Sequence, residues 1–308
     1  MIKLSRTIYI LSTALFLSAV KLSAQQSVEL YTNIEYPVVP VKYCDLEESM
    51  KETSGIIFSS GFVWTINDSG GEPEIYKIDK ETGTVCQTVK ILNATNKDWE
   101  DISEDESYFY IGDIGNNDGN RTDLKIYKIA KKNIKSKKYL EVNAEIIKFS
   151  FQDQKSFEEN SRNHNFDCEA LISCGDTLLL FSKNWVDEKS RMYKLPKVPG
   201  EYKLNPVELF ESDGLITGGD FNSTLNKMAL IGYKNHQPFI FMVNDFDGTT
   251  LAGKEIFRFN LFKMKDSQAE GIAWSTGETV LFSTEQTKSF SQQVFEFDIR
   301  QVFKIMGK

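Results

Sequence analysis

The chain is predicted to be an all-β protein, a single β-propeller of five blades (six being the alternative), each blade a four-stranded antiparallel sheet. Three observations predict this. A short acidic phrase recurs as Asp98-Trp99-Glu100-Asp101-Ile102, Asp167-Cys168-Glu169-Ala170-Leu171 and Gln268-Ala269-Glu270-Gly271-Ile272. Degenerate copies stand at Thr53-Ser54-Gly55-Ile56 and Gly218-Gly219-Asp220-Phe221, so the positions 54, 100, 169, 219 and 270 are separated by 46, 69, 50 and 51 residues. A period in this range marks a repeat architecture. Two further strand types follow each copy in the same order, and no long 3.6-residue apolar periodicity exists after residue 25.

Residues 1–24 read as a secretory signal, with Lys3 and Arg6 as the basic start, Ile8 to Val20 as the apolar stretch and Leu22-Ser23-Ala24 as the cleavage site. The stretch is short for a spanning helix; an uncleaved anchor is the alternative. Residues 25–51 are expected to close the ring. Ser27 to Val39, rich in Val, Tyr and Ile, is read as the fourth strand that the last unit lacks, pairing near Leu30 with Phe295. Residues 52–308 then form the propeller domain.

Within each unit the phrase leads, past a turn, to a second apolar run: Phe62 to Ile66, Tyr108 to Ile111, Leu178 to Phe181, Met228 to Ile231 and Val280 to Phe282. A third run alternates aromatic and aliphatic residues, as in Ile75-Tyr76-Lys77-Ile78, Ile126-Tyr127-Lys128-Ile129, Met192-Tyr193-Lys194-Leu195, Ile240-Phe241-Met242-Val243 and Val294-Phe295-Glu296-Phe297. Such runs, bounded by Gly, Asn, Asp and Ser, read as strands joined by tight turns. Outer strands are expected at Thr84 to Leu92, Ala144 to Phe151, Val207 to Phe210 and Glu255 to Leu261. One such sheet cannot bury both its faces; radial packing against neighbours does so. A β-sandwich is the competing reading, disfavoured by the fivefold repetition.

Removing the three basic residues of the leader takes the formal charge from −8 to −11. This acidity argues against a nucleic-acid partner and is consistent with cation binding or with solubility alone. An exported chain permits disulfides. Cys168 and Cys174 are expected on one strand, about 20 Å apart and out of bonding reach, whereas Cys44 with Cys86 stays open. With no Cys-x-x-Cys pair and two histidines, a zinc site is disfavoured.

In an antiparallel hairpin the start of one strand lies beside the end of the next. The phrase acids and the polar residues ending the second run should therefore meet at one mouth of the channel. The candidate metal ligands are Asp68, Glu100, Asp113, Glu169, Asp220, Glu270 and Glu285. Crowded carboxylates need a cation or protons among them, and hard oxygen donors favour Ca²⁺; the alternative is that they cap strand ends. Trp99, Asn116, Asn117, Lys183, Asn184, Trp185 and Tyr233 are the candidate ligand-binding residues. Glu100, Glu169 and His164 are weak candidates for a catalytic base. His164 lies in a polar insertion, Gln152 to Asn165, expected to approach the acidic face beside Glu169. No Gly-x-Ser-x-Gly elbow is present.

At Glu52-Thr53-Ser54-Gly55-Ile56, Asn67-Asp68-Ser69-Gly70 and Asp98-Trp99-Glu100-Asp101-Ile102 the chain resembles the secreted bacterial SdiA-regulated and phytase-like (esterase-like) propellers. The resemblance covers most of the mature chain and implies five or six blades, often with Ca²⁺ at the acidic mouth, and in some members hydrolysis of phosphoesters or esters. The chain lacks the Lys and Arg cluster that would grip several phosphates; Arg121, Lys183 and Lys234 are the nearby cations. Two functions are therefore expected. The first is an extracytoplasmic, secreted or periplasmic, monomeric module that binds a small molecule, a glycan or an envelope protein and does not insert into the membrane after signal cleavage. The second is a Ca²⁺-dependent hydrolase of phosphoesters, esters or lactones.

Overall fold

The computed structural model describes residues 27–28, 31–34 and 39–300. The leader, its cleavage site, Leu30 and residues 301–308 lie outside the described residues. Five sheets form five blades. From the axis outward, blade 1 comprises Thr53–Ser59, Phe62–Asn67, Glu74–Ile78 and Val85–Ile91. Blade 2 comprises Trp99–Glu104, Tyr108–Asp113, Lys125–Ala130 and Glu145–Phe151, and blade 3 Asp167–Cys174, Thr177–Lys183, Ser190–Pro196 and Glu208–Phe210. Blade 4 comprises Leu215–Asn222, Lys227–Lys234, Gln237–Val243 and Ile256–Asn260. Blade 5 comprises Ala269–Trp274, Thr279–Thr284 and Gln293–Asp298, completed by Val41–Asp45. Each innermost strand touches the innermost strands of the blades on either side, and blade 5 touches blade 1, so the ring is closed. No described helix is long and apolar enough to cross a membrane.

The closing strand differs in place from the expected one. Val41–Asp45 pairs antiparallel with the last strand, Lys42 opposite Phe295 and Cys44 opposite Val294. The chain must pass from the outer edge of blade 5 to Thr53 on the axis. A strand ending at Asp45 does so over a short connection, as at the junctions of blades 1 and 2, 3 and 4, and 4 and 5. The earlier pieces serve elsewhere: Ser27–Val28 pairs with Glu208–Phe210 of blade 3, and Thr32–Ile34 with Ile256–Asn260 of blade 4, both parallel. Tyr139–Val142 and Gly200–Leu204 add parallel outer strands to blades 1 and 2. Four blades therefore have five strands, not the four expected.

Strands buried on both faces show why the sheets need neighbours. In Gln237–Val243, Ile240 and Met242 pack towards blade 5, whereas Phe239, Phe241 and Val243 pack towards blade 3. Leu178 and Leu180 face blade 2, and Leu179 and Phe181 face blade 4. Five apolar clusters result, one per blade interface. All four cysteines are free thiols, and Cys168 and Cys174 share one strand.

At the axis, the inner strands approach so closely that a Cβ has no room at several positions. A Cβ on Gly55 would meet Asp101 Oδ1 at 2.5 Å, one on Gly218 the Glu270 carbonyl at 2.3 Å, and one on Gly271 the Ser54 carbonyl at 2.5 Å. In blade 2 the same position is Asp101, whose carboxyl fills this space. It accepts the N–H groups of Ile102 (2.9 Å), Leu171 of blade 3 (2.9 Å) and Gly219 of blade 4 (3.4 Å). Asp101→Ala should leave these donors unpaired and cost about 3 kcal/mol or more, and Asp101→Asn, which keeps one acceptor, should cost about 1 kcal/mol. Urea unfolding of the two variants checks this; equal losses would mean that the carboxyl is no hub.

Candidate functional site

The inner strand of every blade carries a β-bulge near its start. The register slips between Thr53 and Ile56, Trp99 and Asp101, Cys168 and Ala170, Ile216 and Gly218, and Ala269 and Ile272. A bulge leaves one residue outside the ladder and re-aims its side chain. The bulged positions are Ser54, Glu100, Glu169, Thr217 and Glu270. Four of them line one polar pocket of about 110 Å³ at the channel mouth, and Thr217 beside them donates to the Ala269 carbonyl at 3.0 Å. The recurring acidic phrase is thus the sequence of a bulge.

The ends of the second strands complete the pocket, as the hairpin geometry predicts. Asp68, Lys183, Tyr233 and Glu285 line it with Asn117 and Trp185. Lys183 reaches Glu169 at 3.1 Å. Burial works against the Lys183 charge, but Glu169, together with Tyr233, Glu270 and Asp167, outweighs it and pushes the ammonium up. Burial raises Glu100, reinforced by the charge of Glu169. It also pushes Glu270 to about 7, and Glu285 to about 9 with help from the Glu270 charge.

Asp98, which the sequence reading left out, completes a triad. One oxygen of each of Asp68, Asp98 and Glu100 lies within 4.8 Å of the others. Burial and the charge of Asp68 push Asp98 to about 7, and burial raises Asp68. Gly115 cradles two of these groups: a Cβ there would stand 2.0 Å from Glu100 Oε1 and 2.5 Å from the Asp98 carboxyl. Three converging carboxyl oxygens with no sulfur or imidazole fit a hard divalent cation such as Ca²⁺.

Several expected site residues are elsewhere. Asp113 is fully buried in ion pairs with Arg121 (2.7 Å) and Lys125 (3.2 Å), which leaves it no capacity for a metal. Asp220 lies further down the channel, accepting Phe221 and Trp274 N–H groups as a strand cap; the blade 4 counterpart of the phrase acid is Thr217. Trp99 is no stacking platform, because its indole is fully buried against Tyr127 and donates to the Thr95 carbonyl. Asn116 and Asn184 are buried and engaged, the first with the Phe166 carbonyl and Arg121 N–H, the second with Ser182 and Asp187. His164 is not a base: Nδ1 accepts the Phe166 N–H and Nε2 then donates to the Asn117 carbonyl at 3.0 Å.

The insertion carrying His164 does reach the acidic mouth. What it delivers is Arg162, its guanidinium 5.0 Å from the Trp185 ring, with Lys183 at 4.8 Å from the same ring. Nothing in the phrase pattern marks Arg162, and its spacing from a long insertion is the one available signal.

No family model matches the chain, and no curated protein matches it. Among solved structures it is similar to the β-propeller domain of Cps50 (Swd1) from Myceliophteria thermophila, at 12% identity over 85% of this chain and 100% of that one, TM-score 0.44. A DUF4623 family protein from Bacteroides eggerthii matches at 10% identity over 85% of this chain and 77% of that one, TM-score 0.43. A 6-phosphogluconolactonase-like protein from Bacteroides fragilis matches at 15% identity over 80% of this chain and 67% of that one, TM-score 0.42. These likenesses concern the fold alone.

The raised carboxyls set a pH dependence. With Asp98 and Glu270 at about 7 and Glu285 at about 9, the folded chain holds protons that the unfolded chain has released. Stability of the metal-free protein should therefore fall as pH rises from about 5 to about 9, by roughly 1 kcal/mol or more. Melting in chelator across that range tests the sign; a rise would show that these groups are ionised and paired in the fold.

Proposed function

We propose that the chain is an extracytoplasmic ligand-binding propeller whose acidic mouth holds Ca²⁺ and presents it to a small polar ligand. The observation carrying this reading is the convergence of Asp68, Asp98 and Glu100 oxygens within 4.8 Å. Bound there, the cation would supply positive charge that offsets carboxylate repulsion and attracts ligand oxygens. Lys183 and Arg162 flank the pocket, and Trp185 offers a face between them. Export rests on residues 1–24, and the ligand classes remain a small molecule, a glycan or an envelope protein. The chain is taken as a monomer.

The second reading is a Ca²⁺-dependent hydrolase of phosphoesters, esters or lactones, in keeping with the resemblance to phytase-like propellers. Glu270, pushed by burial to about 7 in the same pocket, favours it, because a base works best when its pKa lies near the ambient pH. Glu100 and Glu169 are less suited: the first belongs to the oxygen triad and the second is tied to Lys183. Binding is preferred because the pocket offers no nucleophile with its own base.

Millimolar Ca²⁺ should raise the melting temperature, stabilisation reaching about 2.7 kcal/mol at a hundredfold excess over Kd. Glu100→Gln should weaken the rise, and Glu81→Gln, on an exposed turn, should leave it unchanged. An unmoved melting temperature would remove the metal and the hydrolase together. Metal-dependent turnover of p-nitrophenyl phosphate, p-nitrophenyl acetate or a lactone, lost in Glu100→Gln, would instead decide for the hydrolase.

A further inference from the structure

We infer that the cleft beside the mouth, between blades 4 and 5, is a second subsite that takes a monoanionic carboxylate, so that the ligand is a carboxylate-bearing polar molecule. The inference deepens the binding reading above. The cleft has a volume of about 390 Å³ and shares Arg162, Tyr233 and Gln268 with the acidic pocket. That size is within the roughly 300–1,000 Å³ usual for small-molecule sites.

Its charge is opposite to that of the mouth. Arg162 and Lys288 face one acid, Asp266, and His236 lies beside them. Among the described residues neither cation has a carboxylate within ion-pair distance, although the pocket next door is crowded with acids. The Arg162 guanidinium lies 5.0 Å from the Trp185 ring, and its backbone N–H donates to the Asn117 carbonyl (2.9 Å). Lys288 projects from a turn closed by Thr287, whose N–H donates to the Phe290 carbonyl and whose hydroxyl accepts the Ser289 and Phe290 N–H groups. The Asp266 N–H donates to the His236 carbonyl at 2.8 Å, tying the two walls together. The backbone that carries these groups is thus fixed, while the Arg162 and Lys288 side chains stand exposed at the rim of the cleft.

Two cations against one acid leave one positive charge in the cleft, which matches a single negative charge on the ligand. The planar guanidinium fork matches a carboxylate. The Tyr233 ring and the Gln268 amide then face the rest of the ligand as it runs towards the mouth.

The test is calorimetric titration of the protein with D-glucuronate, D-glucose and inorganic phosphate, in calcium and in chelator. Glucuronate should bind, and glucose and phosphate should bind at least about tenfold more weakly. Arg162→Gln and Lys288→Gln should each weaken glucuronate about 10- to 100-fold, the size of one charge-assisted hydrogen bond, and Lys288→Gln, which lies outside the acidic pocket, should keep the calcium-induced rise in melting temperature. Equal affinity for glucose, tighter binding of phosphate, no binding of any probe, or unchanged affinity in both variants would each overturn the inference. If glucuronate binds as expected but calcium leaves the melting temperature unmoved, the metal reading falls and the cleft stands.

Discussion

Five strands converge on one axis, and the space there admits almost no side chain. Gly55, Gly218 and Gly271 hold the level at which their neighbours' backbones come within 2.6 Å of a would-be Cβ, and Ala170 occupies the same level in blade 3. Asp101 alone extends into the gap, taking N–H groups from blades 2, 3 and 4. Burial pushes its carboxyl well above the usual range, and the three N–H groups it accepts act in the opposite direction. Further bonds continue the pattern round the ring: Ser54 donates to the Glu100 carbonyl, Thr217 to the Ala269 carbonyl and Ser283 to the Ser54 carbonyl.

This crowding explains the mouth. A regular strand would alternate its side chains into the two blade interfaces, where the five apolar clusters lie. The bulge breaks that alternation for one residue, which leaves the interface and points along the axis. Where the sequence puts a carboxylate at that residue, as at Glu100, Glu169 and Glu270, the acid is buried at the mouth. Only Glu169 finds a cation, Lys183. The surplus of acid is thus a product of backbone geometry, supported by apolar packing that the mouth residues do not share.

The repeating strands were legible because each strand type has its own alternation and the order never changes. The outer strands expected at 84–92, 144–151, 207–210 and 255–261 fall within a residue or two of those observed. What a single sequence could not show was which acid meets which cation. Asp113 and Glu285 both stand at the ends of second strands, yet Arg121 lies eight residues beyond Asp113 and neutralises it, whereas Lys288, three residues beyond Glu285, makes no ion pair with it. In blade 4 the pair Gly218-Gly219 hid the bulge at Thr217, and the nearest acid, Asp220, took its place in the reading. Trp99 adjoins Glu100 in sequence, but it sits one step along the strand and so faces the core. The fifth parallel strands are contributed by distant segments and carry no local mark.

The acids also fall where the ring is least supported. Blade 5 is completed by the N-terminal strand, and among the described residues it alone has no fifth strand. Its cluster against blade 1, built around Met50, Ile56, Val63 and Leu281, contains none of the phenylalanines buried at the blade 4–5 interface. Hydrogen bonds cross this seam as well: Gln286 N–H to the Lys51 carbonyl and the Ser283 hydroxyl to the Ser54 carbonyl. Glu270 and Glu285 stand on one side of it and Asp68 on the other, so their mutual repulsion acts across the joint that closes the propeller. Protons or a cation among these groups therefore do two things at once. They settle the charge of the mouth, and they remove a force that would open the ring at its weakest interface.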